Sequence, residues 1–140
     1  MARRPGQLNL FTGRTRAPPA PKEFELHVMV ADTLRRWLSP DWKFTHIPNG
    51  ELRSPSTGAR LKRMGVIPGW PDFVLLSGDT GIAHFLELKR RGMGLSDEQA
   101  DFADFCSHHG LPYAICDTFD SALTQLLTWG AVLDKVRISA

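Results

Sequence analysis

The sequence predicts an α/β architecture, a mixed central sheet with flanking helices in the approximate order α-β-β-β-α-β-α. Three observations carry this. Residues 23–38 repeat apolar side chains at three- and four-residue spacing, which places them on one face of a helix. Two apolar runs, 73–76 and 82–86, flank a Gly/Asp turn at 77–81 and read as an antiparallel hairpin. A helical stretch beginning near residue 96 leads into the apolar segment 112–116. That crossover should return the last strand parallel to the second arm of the hairpin, with a right-handed connection.

Residues 1–22 are rich in Arg, Pro and Gly, with Pro18, Pro19 and Pro21 at their end, and predict a flexible basic arm. Such an arm either touches nucleic acid or solubilises the chain. Residues 23–140 are expected to form one domain. Its first helix runs from Lys22 or Glu23 to Leu38, with Leu26, Val30, Leu34 and Trp37 or Leu38 inward, and stops at Ser39-Pro40. Glu23 and His27 are four apart and share a face. Alternation over 42–47 predicts a short strand, ended by the turn Pro48-Asn49-Gly50. Residues 51–68 are the least regular part, with one or two helical turns expected over 59–64. Gly65 and Gly69 should relieve backbone strain on the approach to the hairpin, and Trp70 is expected to pack rather than stack on a base.

Beyond the hairpin, Gly92-Met93-Gly94 makes a link. Ser96-Asp97-Glu98-Gln99 then fits a capping box, with Ser96 accepting from exposed amides and Gln99 reaching back to the cap. The helix should continue to His108 or His109 with Phe102, Phe105 and Cys106 inward, and end at Gly110. Residues 112–116 form an interior strand. Residues 121–129 form the last helix, packing through Ala122, Leu123, Leu126, Leu127 and Trp129. Residues 131–140 add a turn or a short edge strand at 136–138.

At 140 residues, 42 % of them hydrophobic, the chain has the size and composition of one soluble globular domain. It shows no apolar stretch long enough to cross a bilayer, no secretory signal, and no P-loop, dinucleotide, zinc-finger or Ser/His/Asp pattern. Cys106 and Cys116 sit amid apolar neighbours and read as buried free thiols of a reducing, cytoplasmic compartment. The net charge of +2 hides an asymmetry. The first 22 residues hold five of the 17 Lys and Arg and no acid, so residues 23–140 carry 12 basic against 15 acidic residues, a net −3.

The chemistry concentrates at the ends of the hairpin. Residues two apart on a strand share a face, so Glu87 and Lys89 point one way while His84, Leu86 and Leu88 point the other. Asp72 enters the first strand where the second leaves, so pairing brings Asp72 towards Glu87 and Lys89. Two converging carboxylates repel unless a cation lies between them, and hard divalent ions take such oxygen ligands. A neighbouring ammonium can orient water or balance negative charge developing on a transition state.

Pro71-Asp72 followed by Glu87-Leu88-Lys89 resembles the PD-(D/E)xK nuclease superfamily. A longer series is similar to its virus-type replication-repair nuclease (VRR-NUC) branch: Pro48-Asn49-Gly50, residues 65–72, Glu87-Leu88-Lys89-Arg90 and residues 95–99. The resemblance implies a restriction-endonuclease-like core and a metal-dependent DNA endonuclease. It implies Asp72, Glu87, Lys89 and Gln99 as catalytic residues. Asp72, Glu87, the Leu88 backbone carbonyl and Glu23 (or Glu25) would be ligands of Mg²⁺ or Mn²⁺. Acids in a first helical turn also simply favour the helix dipole. A Gln99 side chain reaching back to its cap is expected not to serve both cap and site fully. Arg53, Arg60, Lys62 and Arg63, with Arg90, Arg91 and Asn49, are the candidate phosphate contacts, the rival account being a solvent-facing charged loop. The branch further implies branched DNA such as four-way junctions as partner, and a homodimer. The alternative is a non-catalytic DNA-binding subunit that keeps the fold.

Overall fold

The computed structural model describes residues 22–48 and 54–139. The basic arm, apart from Lys22, lies outside them, as do Asn49 and Arg53. In chain order the elements are α1 (Glu23–Trp37), β1 (Trp42–His46), α2 (Pro55–Arg63), β2 (Phe73–Ser77), β3 (Ala83–Leu88), α3 (Asp97–His109), β4 (Tyr113–Cys116), α4 (Phe119–Trp129) and α5 (Val136–Ser139). No helix among the described residues is long and apolar enough to cross a membrane.

Among the described residues the strands form one mixed sheet in the order β1-β2-β3-β4, so β4, expected in the interior, is an edge strand with Ile115 48 % exposed. β1 and β3 run antiparallel to β2, and β4 runs parallel to β3. Register follows from the apolar alternation, since a one-residue slip would turn the core face outward. Phe73 pairs with Leu86 and Leu75 with His84. These residues, with Trp42 and Leu88, therefore face the same side. α1 and α4 cover that side through Leu26, Val30, Leu34, Ala122, Leu123 and Leu126, all buried in one cluster. Each of these buried Leu and Val side chains contributes about 1.5–3 kcal/mol of burial. His84 sits in this layer between Trp42 (4.7 Å) and Trp129 (5.1 Å), and burial lowers its basicity.

The opposite face is covered more thinly by α3. Phe102 packs on Phe85 (5.0 Å) and on Trp70 (4.8 Å), so Trp70 takes the packing role expected of it. Phe105 was expected inward but is 53 % exposed, its ring lying against His109 instead.

Other departures have local causes. α2 begins at Pro55 rather than near residue 59, because Ser54 caps it, accepting from Thr57 N–H, and Pro55 fits the first turn. α4 starts two residues early, capped by Thr118. Residues 136–139 are helical and not an edge strand; Val136 is buried and Arg137 N–H bonds the Asp134 carbonyl.

The segment before β2 abuts the first turn of α3. Gly69 has φ +94°, and a Cβ there would stand 2.5 Å from the Glu98 carbonyl oxygen. Neither backbone can yield without separating Asp72's approach from α3. Gly69→Ala should destabilise the protein by about 2–4 kcal/mol, read by denaturant melts. Unchanged stability would mean the close approach is not maintained in solution.

Candidate metal and nuclease site

The site forms where the N-terminal end of β2 meets the C-terminal end of β3. Asp72 is fixed by its backbone before its side chain acts. Its carbonyl accepts from Ile47 N–H (2.7 Å) and from His46 Nδ1 (2.8 Å), which ties it to the end of β1. Its carboxylate Oδ2 accepts from Leu88 N–H (2.7 Å), which ties it to β3. Its other oxygen, Oδ1, lies 3.9 Å from His27 Nδ1 on α1. Sheet pairing thus delivers Asp72 to the Glu87-Leu88-Lys89 segment, and the Leu88 peptide lies against its carboxylate.

Glu87 is 3 % exposed, an ionisable group in a nearly dry position. Burial, reinforced by the Asp72 charge, pushes its carboxyl up to about 7 from the usual 4.5. The Lys89 ammonium and hydrogen bonds from Lys89 and the Asp72 backbone oppose that rise without cancelling it. Lys89 Nζ stands 3.3 Å from Glu87 Oε1.

Gln99 joins these groups to the start of α3. Its Oε1 accepts from Lys89 Nζ (2.7 Å) and from Ser96 N–H (2.9 Å), and its Nε2 donates to Glu87 Oε1 (2.8 Å). The capping box is complete, Ser96 Oγ accepting from Gln99 N–H (3.2 Å). The expected conflict between cap and site does not arise. A carbonyl oxygen has two lone pairs, and the amide nitrogen remains for Glu87.

Glu23 and Glu25 are both exposed. Glu25 Oε2 accepts from Lys22 N–H (3.1 Å) and so caps its own helix. The α1 side chain that meets Asp72 is His27, one turn beyond Glu23. His27 packs on Phe73 (4.5 Å, 28° between ring planes) and edge-on against His46 (4.3 Å). One donor atom from each of His27, His46 and Asp72 lies within 4.8 Å of the other two, a spacing compatible with a divalent ion. Sequence reading did not pick out the two histidines. The usable signals were the face His27 shares with Glu23 and the parity that sets His46, like Phe44, towards α1.

The described basic candidates lie on the surface. Arg60, Lys62 and Arg63 are exposed on α2, which has no acid in its first turn. Arg90 is exposed, and Arg91 Nε lies 3.9 Å from Asp117 Oδ2 in an exposed pair of small energetic weight. Between α2 and the β1 end, Ile47, Pro48, Leu61, Val66, Ile67 and Trp70 line an open apolar cavity of about 330 Å³.

A mixed sheet with an aspartate before one strand and Glu-x-Lys at the close of its neighbour is the arrangement of a PD-(D/E)xK-type nuclease domain. The VRR-NUC domain profile matches residues 30–120, and the chain belongs to that family. Two solved structures share the fold. One, a "VRR_NUC domain protein", is 18 % identical with a TM-score of 0.60, over 77 % of this chain and 87 % of its own. The other, a "VRR_NUC domain", is 15 % identical with a TM-score of 0.51, over 78 % of this chain and 97 % of its own. No curated protein matches the sequence. The matched span holds Asp72, Glu87, Lys89, Gln99 and His46, whereas Glu23, Glu25 and His27 precede it.

Proposed function

We propose that this protein is a divalent-metal-dependent endodeoxyribonuclease, with residues 23–140 as its nuclease domain and branched DNA, such as four-way junctions, as its preferred substrate. The observation that carries this reading is the meeting of Asp72, Glu87 and Lys89. A buried carboxyl raised to about 7 beside a second carboxylate is a costly arrangement that the Lys89 ammonium alone does not offset. The donor set suits Mg²⁺ or Mn²⁺, with Asp72, Glu87 and the Leu88 carbonyl as ligands and Glu23 or Glu25 as the further helix ligand the pattern suggests. Such an ion, when bound, lowers the pKa of water and offsets charge on the scissile phosphate.

The chain's own groups do the positioning. Leu88 N–H holds the Asp72 carboxylate in place, and Gln99 aims Lys89 and Glu87 from opposite ends of one amide. Lys89 is the proton-handling and water-orienting group. Arg60, Lys62 and Arg63, with Arg90, Arg91, Asn49 and Arg53, supply phosphate contacts, and two copies of the chain straddle the branched substrate as a homodimer.

The test compares purified protein on a four-way junction, a flap and a linear duplex of the same sequence, with Mg²⁺ or Mn²⁺ or with chelator, alongside its mass in solution. Metal-dependent cutting at least tenfold faster on the junction by a dimer is expected. Tight junction binding without cleavage would replace this reading with a non-catalytic DNA-binding subunit, and equal rates on all three would remove the branched-DNA preference.

A further inference from the structure

We infer that His27 and His46 make the ion position at Asp72 a nitrogen-rich centre, selecting a first-row transition ion such as Mn²⁺ or Co²⁺ over Mg²⁺. This rests on the metal-dependent reading above but concerns which ion the chain is built to hold.

The donor chemistry sets the preference. Magnesium keeps to oxygen ligands and gives up water reluctantly, whereas imidazole suits first-row transition ions. Two imidazoles added to one carboxylate therefore favour the transition ion at the same geometry. The three donors stand within 4.8 Å of one another, against a spacing of about 3–4 Å around an ion with bonds of about 2.1 Å.

Two features show a prepared site rather than three nearby side chains. A carbonyl oxygen only accepts, so His46 Nδ1, 2.8 Å from the Asp72 carbonyl, carries the proton. In the neutral ring Nε2 is then the unprotonated nitrogen, and an Nδ1–H bond to a backbone carbonyl is the usual way a ligating histidine is oriented. His27 is oriented by packing, stacked on Phe73 and set edge-on to His46 at 83°. Both imidazoles are therefore constrained by neighbours on α1, β1 and β2, and Phe73 is itself fully buried. His27 is the α1 side chain that stands beside Asp72, its Nδ1 3.9 Å from Oδ1.

The experiment measures ion binding to the full chain directly. Calorimetric titrations with Mn²⁺, Co²⁺ and Mg²⁺ are run on the wild type, His27→Ala and His46→Ala, and pulsed EPR is recorded on Mn²⁺ bound to the wild type. Each histidine variant should lose at least tenfold in Mn²⁺ and Co²⁺ affinity with Mg²⁺ affinity nearly unchanged. The wild-type Mn²⁺ signal should show coupling to imidazole nitrogen. That coupling needs no variant, so it decides the matter even where a substitution disturbs folding. Absence of nitrogen coupling, or equal transition-ion affinity in folded variants, would overturn the inference. Cleavage separates the two readings. Nitrogen-coupled Mn²⁺ on a protein that cuts no DNA leaves this inference standing and removes the nuclease. Magnesium-driven cleavage without nitrogen coupling does the reverse.

Discussion

Asp72→Asn should fold as the wild type does and lose DNA cleavage by about a thousandfold or more, roughly 4 kcal/mol of transition-state stabilisation. The substitution isolates charge from structure. An asparagine keeps an oxygen to accept from Leu88 N–H, and the backbone carbonyl that bonds Ile47 and His46 is untouched. What disappears is the negative charge beside Glu87 that the proposed ion would need. Lys89→Ala is expected to cost about 10²–10³ in rate by a different route, removing the donor that Gln99 and Glu87 hold in place. Cleavage rate, DNA dissociation constant and thermal midpoint must be measured separately, because binding can survive the loss of cutting. A folded Asp72→Asn or Lys89→Ala protein that cuts at the wild-type rate would withdraw the corresponding assignment.

Much of this arrangement could be read from residue order because strand geometry leaves few choices. Period-two alternation fixed which of Glu87 and Leu88 faced the core, and hairpin pairing alone carried Asp72 to them across 15 residues. The Ser96 capping box was local chemistry and therefore visible. What escaped was set by contacts between distant segments. Whether α1 offers Glu23, Glu25 or His27 to the sheet depends on the helix's rotation, fixed by Leu26, Val30 and Leu34 against β2 and β3. Leu26 and Val30 point directly into the core, which leaves adjacent His27 at the margin nearest Asp72. The double duty of Gln99 escaped because it depends on the approach of α3 to Lys89, and that approach is permitted by the missing side chain of Gly69, 30 positions before the helix reaches Gln99. Phe105 misled because helical periodicity marks an apolar face without showing how much sheet is there to cover.

Glu87→Gln should make the metal-free protein more stable while abolishing cleavage. The wild-type carboxyl is raised from 4.5 to about 7, chiefly by burial and then by Asp72. An acid whose folded pKa lies above its unfolded value holds its proton more tightly when folded. Its stabilising contribution is full below about 4.5 and is lost as pH rises through about 7. At about 1.4 kcal/mol per unit, the ionised carboxylate costs the folded state on the order of 3 kcal/mol at pH 8 relative to acid conditions. Glutamine removes that cost. Its carboxamide oxygen can still accept from Gln99 Nε2 and Lys89 Nζ, so the bonds now made to Glu87 Oε1 have a recipient. In chelator at pH 8 the variant should melt about 5–10 °C higher than the wild type, and the difference should shrink as pH falls towards 5. Saturating divalent ion should narrow or reverse the gap, because ligand binding stabilises the protein that retains both carboxylates. Stability given up by the metal-free protein would then be the counterpart of the proposed ion binding. A variant no more stable than the wild type at pH 8, or one with the same pH slope, would show that Glu87 carries no such penalty.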